Sequence, residues 1–360
     1  PEDFINILDR AIELKDLPNE YTKLQEYKNT IIKYKEPSEE KTFKYFNTIK
    51  NPEDLCIALV GVGAVAKSIY MPLIENSNCF VKYCLSKSGR TAAGFCHHYQ
   101  IPYATSDYEE ILNDPSVDII LILSHHSSHA NFVSKALEKG KHVLVEKPLA
   151  ISKEQLEAIK ENKEAVFTIG FNRNFSPYTE KIKETLKARK HPLLITHRIQ
   201  SKLNTKKPWL YNPEISGGRI IGEYCHLINF ALNITNSKVK VIKTTSINSK
   251  DEFLTKDANL IITLTFEDGS IANLIGTEDG DQSFNKERME IICDNKIITI
   301  TDWEEMTING NKIKLGPQKG HKEHWNNFIS TIKGKKKPLN TLNKARETTE
   351  ISFKANTQTF

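Results

Sequence analysis

The chain lacks the marks of several large protein classes. None of its 360 residues falls in an apolar run near the roughly 20 residues that a membrane-crossing helix needs. Its six cysteines form no C-x-x-C pair and no framework spacing, so neither a zinc ribbon nor a disulfide scaffold is expected. The expectation is reduced thiols in a cytoplasmic protein. The start, PEDFINILDR, is acidic and mixed, unlike a signal peptide. It also lacks an initiator Met, which suggests that residues once preceded Pro1. The net charge of +5 comes mostly from scattered lysines. The densest cluster, Lys333 to Lys337, has no interleaved aromatics, so we expect no nucleic-acid partner. No repeat or low-complexity tract is present.

What is there alternates. From Leu55 on, apolar strand-like runs take turns with helical segments: CIALVGVG, FVKYCL (Phe80 to Leu85), SDYEEILNDPSVDIILILS, SSHANFVSKALEKG, KHVLVEKP, KEQLEAIKENKEA and VFTIGFNRNF. This predicts a parallel sheet with helices on both faces. After Phe175 the style changes. PLLITHRIQS, VKVIKTTSINS, ANLIITLTFEDG, SIANLIGTEDG, RMEIICDN and KIITITD read as strands joined by polar turns, and EDGS and CDNK as hairpin turns. The tail returns to helix. The expected organisation is an extension over 1–52, a doubly wound Rossmann domain over 53–172, and an α/β domain with a large, mostly antiparallel open sheet over 173–360. C-terminal helices are expected to pack back on the first domain. Within the extension, DFINILDRAIELKD has helical spacing and NTIIKYKEP reads as a short strand.

The most informative stretch is LCIALVGVGAVAKSIYMP, Leu55 to Pro72. A strand ends in Gly61-x-Gly63-x-x-Ala66 and a helix comes next, the pattern of a dinucleotide cradle. Gly61 permits the tight turn, Gly63 lets backbone approach a pyrophosphate, and Ala66 allows close helix–strand packing. Ala64 and Val65, inside the motif, join the cofactor-binding set. An acid about 20 residues on would select the ribose 2′-hydroxyl of NAD. The chain instead reads LSKSGR, with Ser86, Lys87 and Arg90. A hydroxyl and two cations suit a 2′-phosphate, so the cofactor is NADP or NAD, with NADP favoured.

With VDIILILSHHSSH (Val117 to His129), GKHVLVEKPLA (Gly140 to Ala150), GFNRNFSP (Gly170 to Pro177) and SGGRIIGEYCHLINF (Ser216 to Phe230), the chain resembles the Gfo/Idh/MocA family of NAD(P)-dependent oxidoreductases. FNKERMEI, ITDWEEM and QKGHKEHWNNFISTI look like a narrower branch, in which such a domain comes after a zinc-type alcohol dehydrogenase-like half. LPNEYTKLQEYKNTIIKY would then be the end of that first half. The resemblance implies hydride transfer at a secondary alcohol or ketone carbon of a sugar, cyclitol or nucleotide sugar. The branch is often linked to surface polysaccharide building. It also implies a homo-oligomer, dimer or tetramer, formed through the open sheet.

Oxidising an alcohol needs a group that handles its proton. Lys147 lies just past a buried strand, and in the resembled family this lysine reaches the substrate hydroxyl. Glu146 is expected at the nicotinamide ribose, and Pro148 is expected to set an unusual backbone geometry. Glu223 lies three residues before His226, where a helix would put both on one face; the three residues Lys147, His226 and Glu223 are the expected catalytic set. The family pattern has Asp four residues before the histidine; this chain has Gly222. Ser124, His125, His129 and Asn172 are assigned to the cofactor. Arg173, Trp209 and Tyr211 are assigned to the substrate. No metal is assigned to the H-H-x-x-H run, which lacks carboxylate or thiolate support, nor to Cys96-His97-His98. Two other functions share the fold: NAD-dependent glycoside cleavage with a recycled cofactor, and a non-catalytic sugar or cofactor sensor.

Overall fold

The computed structural model describes residues 10–13, 30–33, 41–47, 51, 53–204, 206–247 and 257–357. The chain divides into two compact units, Pro1–Phe43 and Lys44–Phe360. In the first, Arg10–Glu13 pairs in parallel with Thr30–Lys33, with Ile12 opposite Ile32. The helix expected across Asp3 to Asp16 is therefore strand at Arg10–Glu13. Two adjacent apolar residues, Ala11 and Ile12, satisfy either period over so short a span, and pairing decides. Most of LPNEYTKLQEYKNTIIKY lies outside the described residues.

Strands of the second unit are numbered from Leu55. β1 (Leu55–Val60), β2 (Cys79–Leu85), β3 (Tyr103–Thr105), β4 (Ile119–Ile122), β5 (His142–Val145) and β6 (Phe167–Ile169) belong to one sheet in the order β3-β2-β1-β4-β5-β6, each pair parallel. β3 is too short to stand out in the sequence. Helices are α1 (Met71–Glu75), α2 (Arg90–Tyr99), α3 (Tyr108–Asn113), α4 (His126–Glu138), α5 (Lys153–Ala158), α6 (Pro177–Leu186), α7 (Pro213–Ser216), α8 (Cys225–Thr235), α9 (His321–Ile332) and α10 (Leu342–Thr357). Side chains of β1 alternate between two cores. Cys56, Ala58 and Val60 enter one, Ile57 and Leu59 the other. A strand buried on both faces has no polar side to show, hence the unbroken apolar runs. Caps start the helices: Asp107, Ser152 and Ser176 each accept a backbone N–H of the first turn of α3, α5 and α6.

The register has a functional consequence. Val60 pairs with Leu85 and with Ile122, Ile122 with Val145, and Val145 with Ile169. The next residues, Gly61, Ser86, Leu123, Glu146 and Gly170, therefore form one row at the carboxyl edge, where α/β sheets bind ligands.

The second sheet is built from β7 (Leu194–Gln200), β8 (Val239–Ser246), β9 (Leu260–Phe266), β10 (Ile271–Thr277), β11 (Glu287–Cys293), β12 (Lys296–Thr301), β13 (Glu305–Ile308) and β14 (Asn311–Ile313). Its order is β8-β9-β10-β7-β11-β12-β13-β14, and only β7–β10 is parallel. CDNK makes the turn between β11 and β12, with Asp294 and Asn295 at φ 49° and 58°, as a two-residue type I′ turn requires. One face packs on α6, α8 and α10. α9 and α10 tie the layers together. Trp325 and Phe328 enter the core of Ile57 and Leu59. Leu342 and Ala345 enter that of Val60, while Ile351 and Ala355 reach the second sheet. The fold is thus a Rossmann-type parallel sheet followed by a large, mostly antiparallel sheet.

Gly276 on β10 leaves room for the ring of Tyr224, which a Cβ would strike. The Tyr224 hydroxyl donates to the Ala258 carbonyl at 2.8 Å, so the ring cannot swing aside cheaply. Gly276→Ala should destabilise the protein by about 1–3 kcal/mol, the usual cost of overpacking. An unchanged urea midpoint would contradict this packing.

Candidate functional site

The glycine turn is dictated by close approach. A Cβ at Gly61 would lie 2.8 Å from the Leu123 carbonyl and the Ser124 nitrogen, and φ is +95°. At Gly63 a Cβ would meet nothing within 4 Å; the backbone there borders open space. A π-helical turn, Ala66–Tyr70, runs into α1, with Ala66 fully buried. Ala64 and Val65 are exposed beside Gly63. At the end of β2, Ser86 Oγ accepts the Ala92 N–H at 3.0 Å, and Lys87 and Arg90 are exposed. Bare backbone at Gly63, a helix beginning behind it, and cations instead of an acid after β2 fit the diphosphate and ribose of a pyridine dinucleotide.

Beyond this cradle stands Lys147, whose peptide bond to Pro148 is cis. Its ammonium donates to Glu223 Oε2 at 2.8 Å and to the Gly222 carbonyl at 2.6 Å. The other Glu223 oxygen lies 3.7 Å from Lys286 Nζ. Burial alone would raise the Glu223 pKa; Lys147, then Lys286 and Arg219, overcome it and hold the carboxyl well below its ordinary range. Glu146 is fixed on both oxygens. The Tyr70 hydroxyl donates to Oε1 at 2.7 Å, and the Lys147 N–H reaches Oε2 at 3.3 Å. A Cβ at Gly170 would come within 2.7 Å of that carboxylate, so the glycine of GFNR is there for Glu146. Burial raises the Glu146 pKa, and the Tyr70 hydrogen bond opposes it.

Glu223 hydrogen-bonds Lys147 rather than His226, on which it acts through its charge alone. Gly222 and Glu223 sit in a second π-helical turn, Ile220–Tyr224, and His226 in the α-helix directly after it. The wider winding breaks the stacking of positions three apart. His226 is buried, edge-on to Phe171 at 5.8 Å. Its ring makes no hydrogen bond among the described residues. Burial, with Arg173 and Lys147 adding to it, pushes its pKa well below the ordinary histidine value, against the pull of Glu223 and Glu287. The buried surroundings therefore favour the neutral ring.

Other expected site residues are engaged elsewhere. Arg173 forms a two-pronged pair with Glu287, at 2.8 and 2.7 Å, and Glu287 also meets His197 at 2.9 Å. Its guanidinium is thereby committed inside the fold rather than open to substrate. The Asn172 amide donates to the Lys319 carbonyl at 2.7 Å. The Tyr211 hydroxyl accepts from Asn204 N at 2.8 Å and donates to Glu278 at 3.1 Å. His129 has no solvent exposure; its ring nitrogens meet the Pro148 and Ser124 carbonyls at 2.7 and 2.9 Å, pinning the turn after β4 to the cis-proline segment. Ser124 Oγ is 2.7 Å from Ser128 Oγ. Trp209 stands edge-on to His125 and His126, at 4.8 and 5.3 Å. Among the described residues no three His, Cys, Asp or Glu side chains could hold a metal ion, and no helix is long and apolar enough to cross a membrane. Sequence reasoning missed Tyr70 and Lys286, and it gave Gly170 and His126 no role of their own although both lie in motifs it singled out. Tyr70, an aromatic one turn after the glycine motif, left a local trace.

Buried neutral histidines make the protein acid-sensitive. Burial lowers His126 and His324 from 6.5 to about 3. Below pH 6.5 the unfolded chain binds protons that these rings refuse. Stability therefore falls with pH, by up to about 1.4 kcal/mol per unit for each ring. The urea midpoint should be lower at pH 5 than at pH 7, and His324→Gln should flatten the difference. Equal midpoints would contradict the neutral assignment.

Two family models match the chain: the Gfo/Idh/MocA oxidoreductase family, NAD-binding Rossmann fold, over residues 55–168, and the Gfo/Idh/MocA C-terminal domain over residues 192–299. The uncharacterized oxidoreductase YrbE of Bacillus subtilis is 28% identical over 231 residues, 61% of this chain and 66% of its own length. The myo-inositol 2-dehydrogenase of Thermotoga maritima is 28% identical over 178 residues, 47% of this chain and 52% of its own. The chain thus spans about half to two thirds of the length of these two curated relatives. Among solved structures, a levoglucosan dehydrogenase in complex with NADH and levoglucosan superposes with a TM-score of 0.76 at 17% identity, over 85% of this chain and 97% of that one. That likeness shows the fold. Cradle, lysine and both matched domains place this chain in the Gfo/Idh/MocA oxidoreductase family.

Proposed function

We propose that the chain is an NAD(P)-dependent dehydrogenase or reductase acting on a CH–OH carbon of a sugar, cyclitol or nucleotide sugar. The observation that carries this reading is the Lys147 ammonium at the carboxyl edge, held by Glu223 and the Gly222 carbonyl, close enough for its charge to act on His226, whose ring has no hydrogen bond among the described residues. Gly61, Gly63, Ala64 and Val65 would hold the diphosphate, Ser86, Lys87 and Arg90 the adenosine ribose, and Ser124, His125 and Glu146 the nicotinamide end. The bound dinucleotide supplies the hydride acceptor or donor. Lys147 donates a hydrogen bond to the substrate oxygen and stabilises its developing charge. His226 takes the hydroxyl proton on oxidation and returns it on reduction. Glu223 keeps Lys147 aimed. The myo-inositol and levoglucosan named for the relatives above are polyols with secondary alcohols, as this chemistry requires.

NADP is the preferred cofactor on this reading, because Lys87 and Arg90 are exposed where an acid would repel a 2′-phosphate. Calorimetry should show NADPH binding tighter than NADH. Lys87→Ala with Arg90→Ala should weaken NADPH by about tenfold or more while sparing NADH. Equal or tighter NADH binding would overturn the preference. Lys147→Ala and His226→Ala should each cut turnover of a polyol about 100-fold or more, read at the reduced-nicotinamide absorbance band. Unchanged turnover would overturn the catalytic assignment.

The outer face of the second sheet supports self-association. Ile271, Leu194, Ile292 and Ile297 sit side by side across four strands by register, exposed by 38, 45, 37 and 46%. A second copy of the chain would cover this row. Light scattering should find a dimer or tetramer that Leu194→Glu with Ile292→Lys dissociates. A wild-type monomer at micromolar concentration would contradict it.

A further inference from the structure

His126 and Gly222 form a matched pair. A Cβ at position 222 would lie 3.1 Å from His126 Cε1 and 3.2 Å from its Nδ1, tighter than an ordinary contact, so even an alanine there would press on this ring and a longer side chain would compete with it for the space. Gly222 also supplies the carbonyl that accepts from Lys147, which brings the imidazole to the flank of the catalytic lysine. His126 Nδ1 lies 2.9 Å from the Ser216 carbonyl. A carbonyl only accepts, so Nδ1 carries the proton. Trp209 backs the ring edge-on at 5.3 Å. Nε2 makes no hydrogen bond among the described residues. In the neutral ring that nitrogen is a lone-pair acceptor.

We propose that His126 Nε2 accepts a hydrogen bond from a substrate hydroxyl next to the reacting carbon, and that Gly222 is what admits it. A lysine that donates and an imidazole that accepts, side by side, suit a vicinal diol: Lys147 holds the reacting oxygen, and His126 takes the hydrogen of its neighbour. A substrate with a lone alcohol satisfies only one of them. A carboxylate at position 222 would put an acceptor there instead, so the two positions exchange one recognition task. His126 is here a specificity-determining residue. The inference rests on the proposed dehydrogenase reading but makes a separate demand.

The test uses the whole chain with NADP⁺ or NAD⁺, and myo-inositol, D-xylose and levoglucosan as probes. His126→Phe keeps an aromatic ring and removes the acceptor. It should raise KM for the best probe about 10- to 100-fold, the cost of losing a well-placed hydrogen bond in an enclosed site. kcat and calorimetric NADPH affinity should stay within about twofold. His126→Asn, whose amide oxygen can accept, should recover part of the loss. Wild-type protein should also discriminate against the deoxy analogue lacking the neighbouring hydroxyl, and His126→Phe should not. Gly222→Asp alone should be impaired, and His126→Ala in that background should restore activity, since it removes the clash. If NADPH binds and a probe turns over, but His126→Phe keeps the wild-type KM and discrimination, this inference fails while the dehydrogenase reading stands. If no probe is turned over or bound, both fail.

Discussion

Everything in the site depends on one buried ionic contact, the Lys147 ammonium against the Glu223 carboxylate at 2.8 Å. The two residues come from different layers. Lys147 comes one residue after Glu146 of the row at the carboxyl edge of the parallel sheet, and Glu223 rides the helical turn ahead of α8 in the second layer. An isolated charge so enclosed would be costly. Here the carboxylate has Lys147 on one oxygen and Lys286 near the other, and the ammonium has a backbone carbonyl as well. The pair thus joins the edge of the parallel sheet to the turn ahead of α8.

Two π-helical turns shape the candidate site. One comes after the glycine cradle and delivers Tyr70 to Glu146; the other precedes α8 and delivers the Gly222 carbonyl and Glu223 to Lys147. Such turns insert an extra residue and rotate the downstream helix about its axis. Cradle and lysine are then linked through a short chain of contacts: Gly61 against Leu123, Tyr70 on Glu146, and Glu146 on the Lys147 N–H. Glycines at 61 and 170 are required because backbone and carboxylate, respectively, pass within 2.8 Å of where a Cβ would stand.

Much of this was legible in the sequence. Unbroken apolar runs such as Ile119–Ile122 announce strands covered on both faces, and Gly61-x-Gly63-x-x-Ala66 marks the cradle, because both depend on local properties. β3, β13 and β14 are too short to carry a period. The helix expected near Arg10 proved a strand there because pairing overrode spacing. In the candidate site, Lys147, Glu146 and His226 stand out through the motifs that carry the family resemblance. Their partners do not. Three-residue spacing matched Glu223 with His226 only on the assumption of α-helical winding, which the π turn breaks. Arg173 looked free because Glu287 lies far along the chain. His126 looked like an ordinary member of a histidine run until the fold set it against Gly222.

A crystal structure of the protein soaked with NADPH would decide the matter. The diphosphate should lie over Gly63, the adenosine ribose beside Lys87 and Arg90, and the nicotinamide ring next to Lys147 and His226, with the Lys147–Glu223 contact intact. A dinucleotide bound elsewhere, or a nicotinamide ring remote from Lys147, would contradict it.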